Sequence, residues 1–353
     1  MWRSGQTTEL AGSWSPRLRF LTALLGGEPD RMPVGNVVSN VTLDLMAATN
    51  AWFPQAHSDA QCMAALAAGG HEILGFDTVM PVFSVTQEAA ALGCEVNWGK
   101  KDMMPAALTH PFAGAREFAL PDGWMETAAI QTVLQAISLL RKRLGDQVVI
   151  VGKVMGPWSL AYHMVGIEEF LIATIDDADR ASRCLEALKV VPVAFAQAQM
   201  QAGADIICLA DHATGGMVSP DAYEQLLLPI HQQIVPQFGG PVVLHCCGNT
   251  TDRVHLFART GIACYHLESQ VNLAIARQAA DGHMRLMGNI NNPTTLLSTD
   301  PEEVMLACRS AMEGGIDILA PECAVPLTTP NRNLQVLVQA ARRFTEEKIR
   351  SRA

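Results

Sequence analysis

The chain has 353 residues, 49% of them hydrophobic and only 17% charged, which provides for a large core and rules out a disordered chain. Its formal net charge of −10 argues against a nucleic-acid partner, because phosphate binding needs a basic surface, and suits a small molecule or a docked protein. The nine cysteines are odd in number and follow no regular framework. No signal-peptide pattern and no apolar run of membrane-spanning length is evident; Leu18–Leu25 is short, with Arg17 and Arg19 at its start. The expectation is a cytoplasmic protein whose thiols stay reduced and are buried, metal-binding or catalytic rather than bridged.

Residues 1–14 show no period and read as a flexible tail. Ser15-Pro16 supplies an N-cap and a first-turn proline for a helix with Leu18, Leu21, Leu24 and Leu25 on one face, stopped by Gly26-Gly27. A first strand is expected at Pro33–Val38. Further strand-like runs follow at Asp77–Phe83, Val148–Val154, Asp205–Asp211, Val242–Cys247, Ala263–Glu268, Met284–Ile290 and Asp317–Cys323. Helical patterns lie between most of them. Ile130, Val133, Leu134, Ile137, Leu140 and Leu144 recur at 3–4 spacing. Asp300-Pro301 with Glu303 reads as a capping box for a helix ended by Gly314-Gly315, and Thr329-Pro330 opens a last helix with Leu334, Leu337, Ala341 and Phe344 inward.

Eight apolar strands alternating with helices predict an α/β fold, a (β/α)8 TIM barrel, as one domain over residues 1–353. An open doubly wound sheet is the competing architecture, disfavoured because no Gly-rich phosphate fingerprint follows any strand. Ser84–Gly123, rich in Gly and Pro, reads as an insertion after strand two, a lid or hairpin over one barrel end. Pro192 is expected to kink or break the helix after strand three.

Active-site residues of such barrels come from the C-terminal ends of strands. Strand five ends in His245 and Cys247, which share a face because side chains alternate, while Cys246 points the other way. Strand eight ends in Cys323 and strand six in Glu268. His/Cys/Cys is a zinc set, and three protein ligands plus an exchangeable position is how catalytic zinc is held. Glu268 reads equally as a ligand, a cap or a nearby base. Cys246, Cys208, Cys264 and Cys308 read as core residues. Zinc with two thiolates suits holding an incoming thiol as thiolate, hence alkyl transfer to sulfur; water activation is the other use.

His245-Cys246-Cys247-Gly248-Asn249 resembles the His-x-Cys-Gly motif of the zinc-dependent methylcobamide:coenzyme M methyltransferases, a family within the uroporphyrinogen decarboxylase superfamily. Leu319–Cys323 with Thr329-Pro330 resembles that family's second zinc segment. Ala56-His57, Glu88, Ala91–Asn97, Gly156-Pro157 with Leu160-Ala161, Ser219-Pro220, Gly288-Asn289-Ile290 and Gly314–Asp317 look familial too, so the resemblance runs from about residue 16 to the C-terminus. It implies the barrel with an N-terminal helical arm, zinc at its mouth, and His245, Cys247 and Cys323 as ligands, with Glu268 in the fourth position until a thiol displaces it. Asp211 and Asn289 are the candidates for facing the cofactor, although a strand-end Asp is as often a cap.

The implied reaction moves a methyl group between a methylated corrinoid protein and a thiol such as coenzyme M. The alternative is a demethylase or dehalogenase that loads the corrinoid from a methoxy, methylamine or methyl halide donor. The Asp-x-His-x-x-Gly cobalamin motif is absent, and Asp252–His255 has the wrong spacing, so the corrinoid is expected on a separate small protein docking at the barrel mouth. Uroporphyrinogen decarboxylation is disfavoured: where the decarboxylases carry an arginine-rich carboxylate-binding segment, Gly35–Asn40 has no arginine. Asp211–Met217 is richer in His and Gly than the thiol-methylating members. Lys153, His163 and His212 are candidates, by position alone, for contacting the thiol's tail.

Overall fold

The computed structural model describes residues 14–298 and 300–352; the expected tail, apart from Trp14, lies outside them. Ser15 accepts a hydrogen bond from the Leu18 amide and starts the helix Pro16–Leu24 as its sequence signals predict. After this N-terminal arm the strands are β1 Thr78–Val79, the hairpin pair β2 Val96–Asn97 and β3 Ala106–Ala107, β4 Val149–Met155, β5 Ile206–Ala210, β6 Val242–His245, β7 Cys264–Leu267, β8 Arg285–Ile290 and β9 Ile318–Pro321. Apart from the hairpin they form one parallel sheet in the order β1-β4-β5-β6-β7-β8-β9.

Seven strands form where eight were expected, and the eighth place is taken by a short extended segment. Val34 bridges Leu319 of β9, with Leu319 N–H donating to the Pro33 carbonyl (3.0 Å) and Gly35 N–H to that of Leu319 (3.1 Å). On the other side Asp77 N–H donates to Val34 O at 2.6 Å, so the sheet closes on itself through this segment. Beyond Val34 side chains replace the ladder. Asn36 N–H donates to the Thr78 hydroxyl, that hydroxyl donates back to Asn36 O, and Val38 N–H donates to Asn36 Oδ1. The run Asp77–Phe83 likewise shortens to two residues. Pro81 has no N–H to pair, and Phe83 N–H turns back onto Pro81 O.

Helices wrap the strands. Between β4 and β5 there are four, Pro157–Val165, Ile167–Asp176, Ala178–Leu188 and Val190–Ala202, rather than one kinked helix. The break falls at Lys189, and Pro192 sits in the first turn of the next helix, where its missing N–H removes nothing. Asp300 caps the helix Pro301–Glu313 through the Glu302 amide, but the reciprocal half of the box does not form: Glu303 takes the Ser298 hydroxyl instead.

The Ser84–Gly123 insertion contains the helix Gln87–Ala91 and the β2–β3 hairpin. Trp98 at the hairpin stacks on His57, ring centroids 6.2 Å apart, and the Lys101 ammonium lies 3.8 Å over the Trp52 ring. The hairpin is thereby fixed across His57.

Candidate metal centre

β6 is continuously buried and its last residue, His245, is 1% exposed. The chain then turns at Gly248, whose φ of +79° and whose approach to the Thr214 hydroxyl (2.3 Å from where a Cβ would lie) leave no room for another residue. Cys247 is returned to the mouth while Cys246 is sealed in the core. Cys323 follows β9, two strands beyond β6's neighbour β7 in the same sheet, its carbonyl accepting from the Asn36 side-chain Nδ2 at 3.2 Å.

The three side chains meet in a closed triangle. His245 Nε2 is 3.2 Å from Cys247 Sγ and 3.4 Å from Cys323 Sγ, and the two sulfurs are 3.5 Å apart. That is too far for a disulfide, which needs about 2.05 Å. It is close to the donor spacing of roughly 3.5–3.8 Å that follows from tetrahedral zinc with bonds of about 2.0–2.3 Å. The pair of thiols already favours an ionised sulfur: a hydrogen bond from Cys247, with His245 nearby, lowers the Cys323 thiol, and the same hydrogen bond together with burial raises Cys247.

Two further ligand-type residues border the triangle. The Glu268 carboxylate lies within 4.8 Å of both cysteine sulfurs, just past the end of β7, and a ring nitrogen of His212 lies within 4.8 Å of His245 and Cys247. Burial raises the Glu268 pKa, opposed by the Gly248 backbone N–H. His212 is lowered to about 4 by burial and by His245, so its ring is neutral at pH 7. Its Nδ1 is 3.1 Å from the Ser159 hydroxyl.

Supporting contacts come from residues that sequence reasoning left out. Glu322, 5% exposed, accepts from the Ser269 amide at 2.9 Å and the Asn292 amide at 2.8 Å, joining the ends of β7, β8 and β9. His266 lies under His245, ring centroids 4.7 Å apart, with Nε2–H donating to Pro321 O at 2.7 Å; burial holds its pKa down to about 3. The signal was the alternation itself, since a histidine or glutamate one residue off the rim reaches a neighbouring strand end.

Asp211 does not face the mouth. It is 1% exposed, and its oxygens take the Ser159 amide at 2.7 Å, the Trp158 amide at 3.4 Å and His231 Nε2 at 3.0 Å, so it caps the helix Pro157–Val165. Asn289 is half-buried on β8, in register with Ala320. His163 lies beside His110 of the insertion, whose Nδ1 is 2.7 Å from the His163 carbonyl.

The fold and site together define a parallel α/β barrel with a cluster of His, Cys and carboxylate donors at its C-terminal rim, spaced as a metal ion would require. The uroporphyrinogen decarboxylase (URO-D) family profile matches residues 15–344, and the chain belongs to that family. Within it the chain is 32% identical over 335 residues, 94% of itself and 90% of the relative, to the methylated-thiol–coenzyme M methyltransferase of Methanosarcina mazei. It is also 32% identical over 327 residues, 92% of itself and 96% of the relative, to the methylcobamide:CoM methyltransferase MtaA of Methanosarcina barkeri. A solved methyltransferase structure from Methanosarcina mazei superposes with a TM-score of 0.90 at 31% identity, covering 94% of this chain and 99% of that one.

Proposed function

We propose that this methyltransferase transfers a methyl group from a methylated corrinoid, carried on a separate protein, to a small thiol, using zinc held by His245, Cys247 and Cys323. The observation that carries the proposal is the closed triangle of soft donors, with edges of 3.2–3.5 Å, drawn from two strand ends. When bound, zinc supplies a Lewis acid that keeps a thiol deprotonated at neutral pH, which makes it a nucleophile without a dedicated base.

The protein's part is to place and shield. His245 and the two cysteines present their donors together, with Cys323 already favoured as thiolate. Glu268 stands beside both sulfurs, where it serves as a fourth donor that yields to the thiol. The Ser159 hydroxyl, 3.1 Å from Nδ1, holds the His212 ring beside the donors. The substrate sulfur attacks the methyl carbon in line; the carbon–cobalt pair stays with the metal as Co(I), and the thioether leaves. The donor is assigned to another protein because this chain lacks a cobalamin motif of its own and its relatives are named for methylcobamide substrates. Among the described residues no helix is long and apolar enough to cross a membrane.

Metal analysis and turnover test the proposal together. The purified protein is expected to hold one zinc per chain, Cys247→Ala and Cys323→Ala to lose it, and Cys246→Ala to keep it. Methylcobalamin with 2-mercaptoethanesulfonate should yield Co(I) and the methyl thioether, and chelation should abolish this. A fully active zinc-free variant contradicts the reading. Inertness with thiols, together with methylation of Co(I) from a methoxy donor, establishes the reverse direction.

A further inference from the structure

All nine cysteines are free, and six of them are buried: Cys94, Cys184, Cys208, Cys246, Cys264 and Cys308. Burial also pushes those six thiols up, which keeps them protonated and away from a reagent in solution. The other three, Cys62, Cys247 and Cys323, are half-buried. Cys62 lies on the helix Ala60–Glu72, its thiol donating to the Trp52 carbonyl at 3.8 Å. Cys247 and Cys323 face each other across 3.5 Å, although 76 residues separate them in the chain.

Both of these cysteines lie in loops. β6 ends at His245 and β9 at Pro321, and the helix after Cys323 begins only at Asn331, so neither residue is fixed by sheet hydrogen bonds. A disulfide places its sulfurs about 2.05 Å apart. The remaining gap of about 1.5 Å is less than the arc that Sγ sweeps between staggered rotamers. Cys246, next in the chain, is turned away: it is 1% exposed and its Sγ lies 3.9 Å from the Cys247 carbonyl. Two reachable sulfurs thus stand in contact, and the seven other thiols are buried or distant.

We infer that Cys247 and Cys323 form a thiol–disulfide exchange site: a small disulfide, the oxidised form of a thiol admitted at the mouth, converts them to a bridge that occupies both sulfurs and expels the metal. One cysteine sulfur attacks the disulfide, a mixed disulfide forms, and the first thiolate leaves as the small molecule's sulfur–sulfur bond breaks. The second cysteine attacks the protein-bound sulfur, the Cys247–Cys323 bond forms, and the second thiolate leaves. The protein pair is oxidised by two electrons and the small disulfide is reduced to two thiols. In the zinc-loaded protein both cysteines start as thiolates and Zn2+ is released; without metal their two protons go to the leaving thiolates. The inference shares with the proposed function the admission of a small thiol to the mouth, and is indifferent to whether that thiol is methylated.

The test treats the zinc-loaded, full-length protein with bis(2-hydroxyethyl) disulfide, the oxidised form of mercaptoethanol. Zinc release is followed with a colorimetric indicator, and unreduced peptides are mapped by mass spectrometry. The wild type is expected to release its zinc, lose two hydrogens from its intact mass and yield a cross-link between Cys247 and Cys323. Dithiothreitol with added zinc should reverse all three changes, and Cys62→Ser should leave them as they are. Cys247→Ala and Cys323→Ala have no second sulfur and should stop at a mixed disulfide, gaining one mercaptoethanol unit on the cysteine that remains. Retained zinc without a cross-link overturns the inference, as does a bridge to Cys246 or Cys62, or a wild type that stops at mixed disulfides. If the purified protein holds no zinc, the functional proposal fails instead, and the cross-link still decides the exchange site.

Discussion

At the scale of single residues, one step along the chain separates a core thiol from a ligand. Cys246 and Cys247 are neighbours, yet Cys246 is 1% exposed with its thiol pushed up by burial and by Asp211, while Cys247 sits 3.2 Å from His245 Nε2. Alternation in the sequence makes this distinction readable. His212 is harder to read, because nothing in its neighbours says that Asp211 will be spent on a helix N-terminus and leave the histidine to line the mouth. His57 gives a pH prediction. Burial first, then Lys153, lower its pKa from 6.5 to about 4, so the unfolded chain binds its proton more readily in that interval. The stability from keeping it neutral is complete above pH 6.5 and is lost as pH falls toward 4, by about 2 kcal/mol at pH 5. His57→Phe keeps a stacking ring without a titratable nitrogen, and its melting temperature should fall less steeply between pH 7.5 and 5 than that of the wild type. Parallel curves for the two proteins would refute the assignment.

At the scale of elements, long buried strands were legible and short ones were not. β4 has seven consecutive buried residues and lies within a residue of its expected bounds. The expected strands at Pro33–Val38 and Asp77–Phe83 contract because proline removes a ladder donor and because Asn36, Thr78 and Met80 offer side-chain partners to backbone amides. The Asn36–Thr78 exchange depends on a contact 42 residues apart, which periodicity does not register. Strand ends carry the chemistry, and Glu322 ties three of them together through the Ser269 and Asn292 amides. Glu322→Gln leaves one amide without a carboxylate oxygen. It should cost about 1–3 kcal/mol in unfolding free energy and lower zinc affinity roughly 10–100-fold in competition with a chelator, because Glu268 and Cys323 lose their shared anchor. Unchanged zinc affinity would show that the β7 and β9 ends hold their places without it.

At the scale of the whole molecule, the sheet is continuous from β1 to β9 except where Val34 completes the ring. The barrel is a cuff with one seam, fastened by a handful of hydrogen bonds instead of a full ladder. Amides at that seam, those of Gly35, Asp77 and Leu319, should exchange with deuterium well before those of β5, whose residues are paired on both sides. The donor triangle gives the seam a second meaning. Cys323 follows the strand that borders it, while His245 and Cys247 belong to β6, well inside the ladder. A metal gripping all three is a clasp across β7 and β8, and zinc should slow exchange at the seam amides more than at β5. The protein would then register its own loading: an empty barrel is loosest along the seam, and a filled one is held there by the same three donors that hold the metal at its mouth.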